Sequence, residues 1–176
     1  MKKSILTTIV AALLVAGVAR SANATEVGYG RQFGIGFELG DPTGLSAKLW
    51  VGKTNALDFG LGVWGYGFND PCFNNQNCRG FGYGGGSFNV DYLWQSNIVH
   101  AAAQLDWHVG VGGRGFWLNN CAGNCVGIGA RAPIGLDLMF NNPNFLEVFF
   151  EIAPAFYIVP GFGFAIEGGL GVRFYF

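Results

Sequence analysis

The sequence predicts an all-β protein, an eight-stranded antiparallel up-and-down β-barrel that crosses a membrane, behind a cleaved leader. Three observations carry that expectation. The chain ends in unbroken alternation: Phe164, Ile166, Leu170, Val172, Phe174 and Phe176 share one parity, and Ala165, Glu167, Gly169, Gly171, Arg173 and Tyr175 the other. A strand points successive side chains to opposite faces, so one face is greasy and the other small or charged. The same alternation recurs along the chain, with more greasy surface than a single domain of this length can cover. The composition agrees: 16% aromatic, only 12% charged, and 30 glycines. Charge this low excludes a disordered chain, and the absence of a basic stripe excludes nucleic acid as a partner.

The leader reads from its own chemistry. Met1-Lys2-Lys3 gives a positive start, Ile5 to Val18 an apolar run, and Ala22-Asn23-Ala24 a small-x-small cleavage site. The run is short for a membrane helix, so residues 1–24 are expected to be a signal peptide rather than an anchor. The mature domain spans 25–176. Losing Lys2, Lys3 and Arg20 leaves seven bases against 11 acids.

Eight segments follow. The first is Phe33 to Leu39, with Phe33, Ile35, Phe37 and Leu39 on one face; Gly40-Asp41-Pro42-Thr43 turns the chain. The second, Gly44 to Val51, sets Leu45, Ala47, Leu49 and Val51 against Ser46, Lys48 and Trp50, and Gly52-Lys53-Thr54-Asn55 turns again. The third, Ala56 to Tyr66, sets Leu57, Phe59, Leu61 and Val63 against Asp58 and two glycines. After a long loop from Gly67 to Gly86, the fourth runs Ser87 to Trp94, with Asn89 and Asp91 opposing Phe88, Val90, Tyr92 and Trp94. Gln95-Ser96-Asn97 is read as a turn. The fifth, Ile98 to Gly112, opposes Leu105, Trp107, Val109 and Val111 to Gln104, Asp106 and His108, and a second long loop runs Gly113 to Cys125. The sixth is Val126 to Met139, closed by Asn141-Asn142-Pro143-Asn144. The seventh is Phe145 to Ile158, and Pro160-Gly161 leads into the last.

With the N-terminus on the periplasmic side, both long loops fall outside the cell and every inner turn is short. Bacterial outer-membrane barrels share this asymmetry; a secreted β-sandwich, the rival fold, has no reason for it. The inward parity collects Glu38, Lys48, Asp58, Asp91, Asp106, His108, Arg131, Asp137, Glu147, Glu151, Glu167 and Arg173. Eight acids against three bases and one histidine cannot all pair, so trapped water, protonated carboxyls or a bound cation is expected. The ring of eight strands is narrow, which favours a closed lumen of hydrogen bonds and ion pairs over a pore. Inward glycines leave room for Trp50, Tyr157 and Tyr175. Trp64, Tyr66, Trp94, Trp107, Tyr157 and Tyr175 lie near segment ends and are expected to form interfacial girdles.

Cys72 and Cys78 share one outer loop and Cys121 and Cys125 the other. In an exported chain these read as disulfides, Cys72–Cys78 and Cys121–Cys125 each pinning its own loop, with pairing across the loops as the alternative; a four-thiolate zinc site fits the spacing poorly, so no metal and no cofactor is expected. His108 and Asp106 share the inward parity and could touch, but no serine stands beside them as a nucleophile. Gly34-Ile35-Gly36 and Gly127-Ile128-Gly129 lie in strands, not in nucleotide loops. No enzymatic activity is expected.

The chain resembles the small eight-stranded outer-membrane barrels of Gram-negative-type bacteria, the group of X-type and A-type outer-membrane proteins. Within that group it is similar to an uncharacterised barrel family known also from spirochaetes. The resemblance rests on Gly34-Ile35-Gly36 through Asp41-Pro42-Thr43-Gly44-Leu45-Ser46 and on Ala56-Leu57-Asp58-Phe59-Gly60-Leu61-Gly62. It continues in Arg131-Ala132-Pro133-Ile134-Gly135, Glu147-Val148-Phe149-Phe150-Glu151-Ile152-Ala153-Pro154 and the ending Gly171-Val172-Arg173-Phe174-Tyr175-Phe176. It implies that Gly171, Phe174 and Phe176 form the signal read by the barrel assembly machinery, with Leu170 departing from the polar residue usual there. It implies no catalytic residues.

The expected protein therefore sits in the bacterial outer membrane, surrounded by lipid, in a structural or surface-interaction role, with an extracellular ligand possible at the two loops. A narrow conduit for small molecules or ions is the alternative, and a lipid-modifying enzyme the remote one. If the facing is right, Leu61→Arg costs about 2–4 kcal/mol near the midplane and lowers the fraction of chain assembled as a heat-modifiable barrel. Gly60→Ala does not mimic that loss.

Overall fold

The computed structural model describes residues 31–63, 85–101, 103–118, 126–159 and 161–176. Nine strands build it: β1 (Phe33–Asp41), β2 (Thr43–Trp50), β3 (Asn55–Val63), β4 (Gly85–His100), β5 (Ala103–Leu118), β6 (Val126–Arg131), β7 (Ile134–Phe140), β8 (Leu146–Val159) and β9 (Gly163–Tyr175). Each pairs antiparallel with its neighbours, and β9 closes on β1, from Gly34 opposite Tyr175 to Asp41 opposite Gly168. The protein is all-β, an antiparallel sheet closed into a ring of eight strand positions.

Nine strands fill eight positions because β6 and β7 share one. Both lie between β5 and β8. The register runs on across the gap: Arg131 faces Gly112 and Ala155, while Ile134 faces Val109 and Ile152. The interruption is Ala132-Pro133. Proline has no N–H to give the ladder, yet the Pro133 carbonyl still accepts from Gly110 N–H at 2.8 Å and Ala132 N–H still donates to the Pro154 carbonyl at 3.0 Å. The sixth segment is thus one strand with a proline break.

The alternation read from sequence holds in every strand. In β1, Phe33, Ile35, Phe37 and Leu39 are exposed while Gly34, Gly36 and Glu38 are buried. In β9, Phe164, Ile166 and Leu170 are exposed while Ala165, Glu167, Gly169, Gly171, Arg173 and Tyr175 are buried. Two boundaries differ from expectation. Gln95-Ser96-Asn97 is not a turn: β4 continues to His100, with a register shift between Asn97 and Val99, and β5 begins only at Ala103. Those three polar residues occupy strand positions, and the Asp106 carboxylate gives the side-chain amides of Gln95 and Asn97 a partner. The second loop is also shorter than read, because β5 continues through Gly113 to Leu118 opposite β4. The leader and the four cysteines lie outside the described residues, as do Trp64 and Tyr66.

The interior is filled by a repeated device, a bulky side chain laid over a glycine of the neighbouring strand. A Cβ on Gly34 would meet the Tyr175 ring at 2.9 Å, on Gly129 the Tyr157 ring at 3.0 Å, on Gly127 Phe116 at 2.1 Å and on Gly135 His108 at 2.6 Å. Tyr157 and Tyr175 are therefore interior residues, and the expectation that they join an interfacial girdle is corrected. Trp94 does face outward. Gly60 is not an empty position either, since a Cβ there would stand 2.2 Å from Asn89 Oδ1. Gly60→Ala carries a packing cost of its own.

Two small apolar clusters cap the interior. Phe116, Ala155, Tyr157 and Ala165 lie toward the mouth that bears the β1–β2 turn, here the upper mouth. Trp50, Ala56, Met139 and Tyr175 lie toward the lower mouth, where β1 begins and β9 ends.

The β1–β9 seam tolerates no added bulk. A Cβ on Gly36 would stand 1.8 Å from the Val172 carbonyl oxygen, a backbone atom that cannot swing aside. Gly113, outward on β5, has open space, with the Gly129 carbonyl at 3.8 Å the sole neighbour. Gly36→Ala is expected to lower the urea midpoint by an amount equivalent to about 1–3 kcal/mol, and Gly113→Ala to leave it within error.

Candidate functional site: the charged interior

Parity sends polar residues from every strand into one small space, and the ring brings them within bonding distance. All 12 charged or titratable residues assigned to the lumen from sequence are buried there: Glu38, Lys48, Asp58, Asp91, Asp106, His108, Arg131, Asp137, Glu147, Glu151, Glu167 and Arg173. Two further members come from regions read as turn and loop, Asp41 and Arg114, both buried. Arg114 sits where the strand was expected to have ended, and extending the fifth segment's alternation past Gly112 would have found it.

At the upper mouth, Arg114 pairs with Asp41 and with Glu167 at 3.1 Å, and donates to Ser87 Oγ at 3.3 Å. Tyr157 donates its hydroxyl to Glu167 and packs edge-on against Phe116, ring centres 5.3 Å apart. Midway, Arg131 touches three carboxylates: Asp91 at 3.2 Å, Glu151, and Glu167 at 3.2 Å. Asn89 donates to Asp91 at 2.7 Å.

His108 links the middle to the lower layer. Its Nδ1 lies 2.5 Å from Asp137 and its Nε2 3.3 Å from Glu151. The contact with Asp106 expected from their shared parity is not the one made. Asp106 is held instead by amides, Gln104 at 2.8 Å, Asn97 at 2.8 Å and Gln95 at 3.3 Å. Both imidazole nitrogens face carboxylates, so neither is placed to activate a hydroxyl.

In the lower layer Lys48 lies 3.1 Å from Asp137 and 3.7 Å from Glu147, with its ammonium 5.0 Å from the Trp50 ring centre. Arg173 reaches Asp58 at 2.6 Å, Glu147 at 2.8 Å and Ser46 Oγ at 2.9 Å, and its guanidinium stacks 3.7 Å from the Phe149 ring. Tyr175 donates to Glu147 at 2.5 Å. Below them Arg31 closes the mouth, donating to Met139 Sδ at 3.0 Å and to the Phe140 and Asn144 carbonyls at 2.8 Å each.

The expectation that the bases cannot pair with every carboxylate stands: Arg114 brings Asp41 with it, and among the described residues Glu38 and Asp106 meet no base. With Arg114 included there are four, and each serves two or three carboxylates from different strands. A buried charge is tolerable when it is paired and hydrogen-bonded; sharing achieves that for seven of the nine carboxylates, and amides from Gln95, Asn97 and Gln104 serve Asp106. Among the described residues, no cluster of three or more His, Cys, Asp or Glu is arranged to hold a metal ion. Gly171 is buried, and Phe174 and Phe176 are exposed, at the end of β9. No family model, no curated protein and no solved structure matches the chain.

Removing a shared cation strands more than one carboxylate. Arg173→Met is expected to cost about 3–5 kcal/mol in urea unfolding, since it leaves Asp58 and Glu147 short of a buried partner. Glu38 takes part in none of the ion pairs among the described residues, so Glu38→Gln should cost clearly less in the same assay.

Proposed function

We propose that this protein is an integral outer-membrane β-barrel without enzymatic activity, whose work is structural or done by its two cysteine-bearing outer loops. One observation carries the reading. Every Asp and Glu among the described residues is buried inside the ring, and the outward parity is apolar apart from polar residues near strand ends such as Thr43, Asn55, Ser96 and His100. Phe37 is 66% exposed, Leu39 69% and Phe156 60%. In water this is an inverted protein. In lipid it is the expected arrangement, because a closed ring also leaves no unpaired strand edge.

The outward aromatics support the same reading. Toward the lower mouth, Tyr92 and Trp94 pack edge-on at 5.1 Å and Phe145 stacks on Phe174 at 6.2 Å. Toward the upper mouth, Phe156 and Phe164 pair at 5.0 Å and Trp117 is exposed. Aromatic belts at two levels suit two lipid–water interfaces. On this reading the short connections at 51–54 and 141–145 face the periplasm, and the opposite mouth, which bears the β1–β2 turn, faces outward.

A conduit is disfavoured by what fills the lumen. Four cations stand along it, and arginine does not give up its proton, so neither a metal cation nor a hopping proton has an unobstructed route. Apolar clusters close both ends. Lipid modification is disfavoured by His108, whose two nitrogens are taken by carboxylates.

Protein from an outer-membrane fraction should shift mobility on a detergent gel between heated and unheated samples, and reconstituted protein should give no steps in planar-bilayer recordings. Protein that stays soluble without detergent would sink the membrane reading, and reproducible conductance steps would replace the closed lumen with a pore.

A further inference from the structure

The turn between β1 and β2 does not stand on the rim of the ring. It folds into the mouth, and Asp41 and Pro42 are both buried. The reason is length. β1 and β2 have 9 and 8 residues, whereas β4, β5, β8 and β9 have 16, 16, 14 and 13. The long strands form a wall around the short hairpin's tip. Pro42 lies over the inner face of β3, where a Cβ on Gly60 would be 3.2 Å from its Cγ.

In the ring order β1 and β5 are opposite each other. Arg114 of β5 nevertheless holds the tip, donating to the Asp41 carboxylate and, through Nη1 at 3.2 Å, to the Asp41 carbonyl. The tip is also braced within itself. Gly40 N–H donates to Thr43 Oγ1 at 3.1 Å, and that hydroxyl donates to the Gly40 carbonyl at 2.7 Å. Gly40 has φ +145°, a conformation that residues with a side chain rarely adopt, and Gly44 follows on the other flank. A tip braced in this way moves as one body.

We propose that the Gly40–Thr43 turn is a lid over the upper mouth and that Arg114 is its latch. The asymmetry of the partners makes this the part of the interior most readily released. If Asp41 lets go, its carboxylate reaches water, while Arg114 keeps Glu167 and Ser87. No buried charge is orphaned by opening, unlike the loss of the Arg131–Asp91 or the Arg173–Asp58 pair, in which the carboxylate has no second cation among the described residues. The lid follows from the ring geometry alone, so it stands or falls separately from the membrane reading.

The test is amide hydrogen exchange on the intact protein, in detergent micelles or in plain buffer if it proves soluble. Asp41→Asn is compared with wild type, and Arg114→Gln serves as a second variant that breaks the same contact from the far wall. The expected result is exchange about tenfold faster or more across residues 40–44 in Asp41→Asn, with β8 and β9 unchanged. Unchanged exchange in the turn would overturn the latch, showing that Pro42 packing and Thr43 hold the tip without it. A uniform rise across the ring would overturn the lid, making Asp41 a support of the whole barrel. If Arg114→Gln does not fold, Asp41→Asn alone decides.

Discussion

Sharing of buried cations is the constraint on which the rest of this structure depends. A ring of eight strands has an interior that side chains can just fill, and here the chain fills it with charge. Arg131 binds carboxylates from β4, β8 and β9 at once, and Arg173 of β9 binds carboxylates from β3 and β8. Each such cation pins strands that are not neighbours in the sheet. The backbone ladder fixes who lies next to whom around the wall and how wide the ring is, and the ion pairs tie strands together across it. Neither suffices alone. A ladder without the interior network would surround desolvated carboxylates, and breaking one partner of a buried pair is far more costly than never having built it.

Glycine is the complement of that network. Large lumen side chains need floor space, and the ring supplies it by omitting Cβ atoms beneath them. Tyr175 lies over Gly34 across the closing seam, His108 over Gly135, and Phe149 over Gly171. The glycine content is therefore not a sign of flexibility. It is the negative of the interior's shape, and it explains why the outward positions between those glycines are so uniformly large and apolar.

Much of the fold was legible because strand parity is a strict two-residue rule. Once Phe174 and Phe176 face out, Arg173 and Tyr175 must face in, and the structure agrees from β1 to β9. The same rule located 12 lumen residues. It failed where strand length, not parity, was at issue. Gln95, Ser96 and Asn97 have the chemistry of a turn, and no local signal reveals that the amides of Gln95 and Asn97 serve Asp106 from the adjacent strand. Arg114 was lost because Gly112 and Gly113 suggest a loop, when the second of them is an outward strand position with open space. Partner choice was not legible at all: His108 and Asp106 share a face two residues apart, but the imidazole reaches across to β7 and β8. Pairing across a lumen is set by ring closure, which parity does not encode.

That limit separates the two kinds of information in the chain. Parity specifies a wall, apolar outside and polar inside, and it does so redundantly, strand by strand. The interior specifies which wall, through a few residues that each satisfy several strands. A wall sealed in this way has little left to recognise: its outer face offers apolar surface, and most of its inner charges are already paired with one another. On the membrane reading, selectivity must then come from parts of the chain outside the ladder. The connections with room for it are those on the upper side, including the turn that Arg114 draws inward. The hairpin that carries this turn is built from short strands, and its tip fills the mouth that the longer strands enclose. Short strands there are thus not a weakness of the barrel. They are what allows the chain to close its own upper mouth with backbone, while the same guanidinium that holds the closure remains satisfied by Glu167 and Ser87 without it.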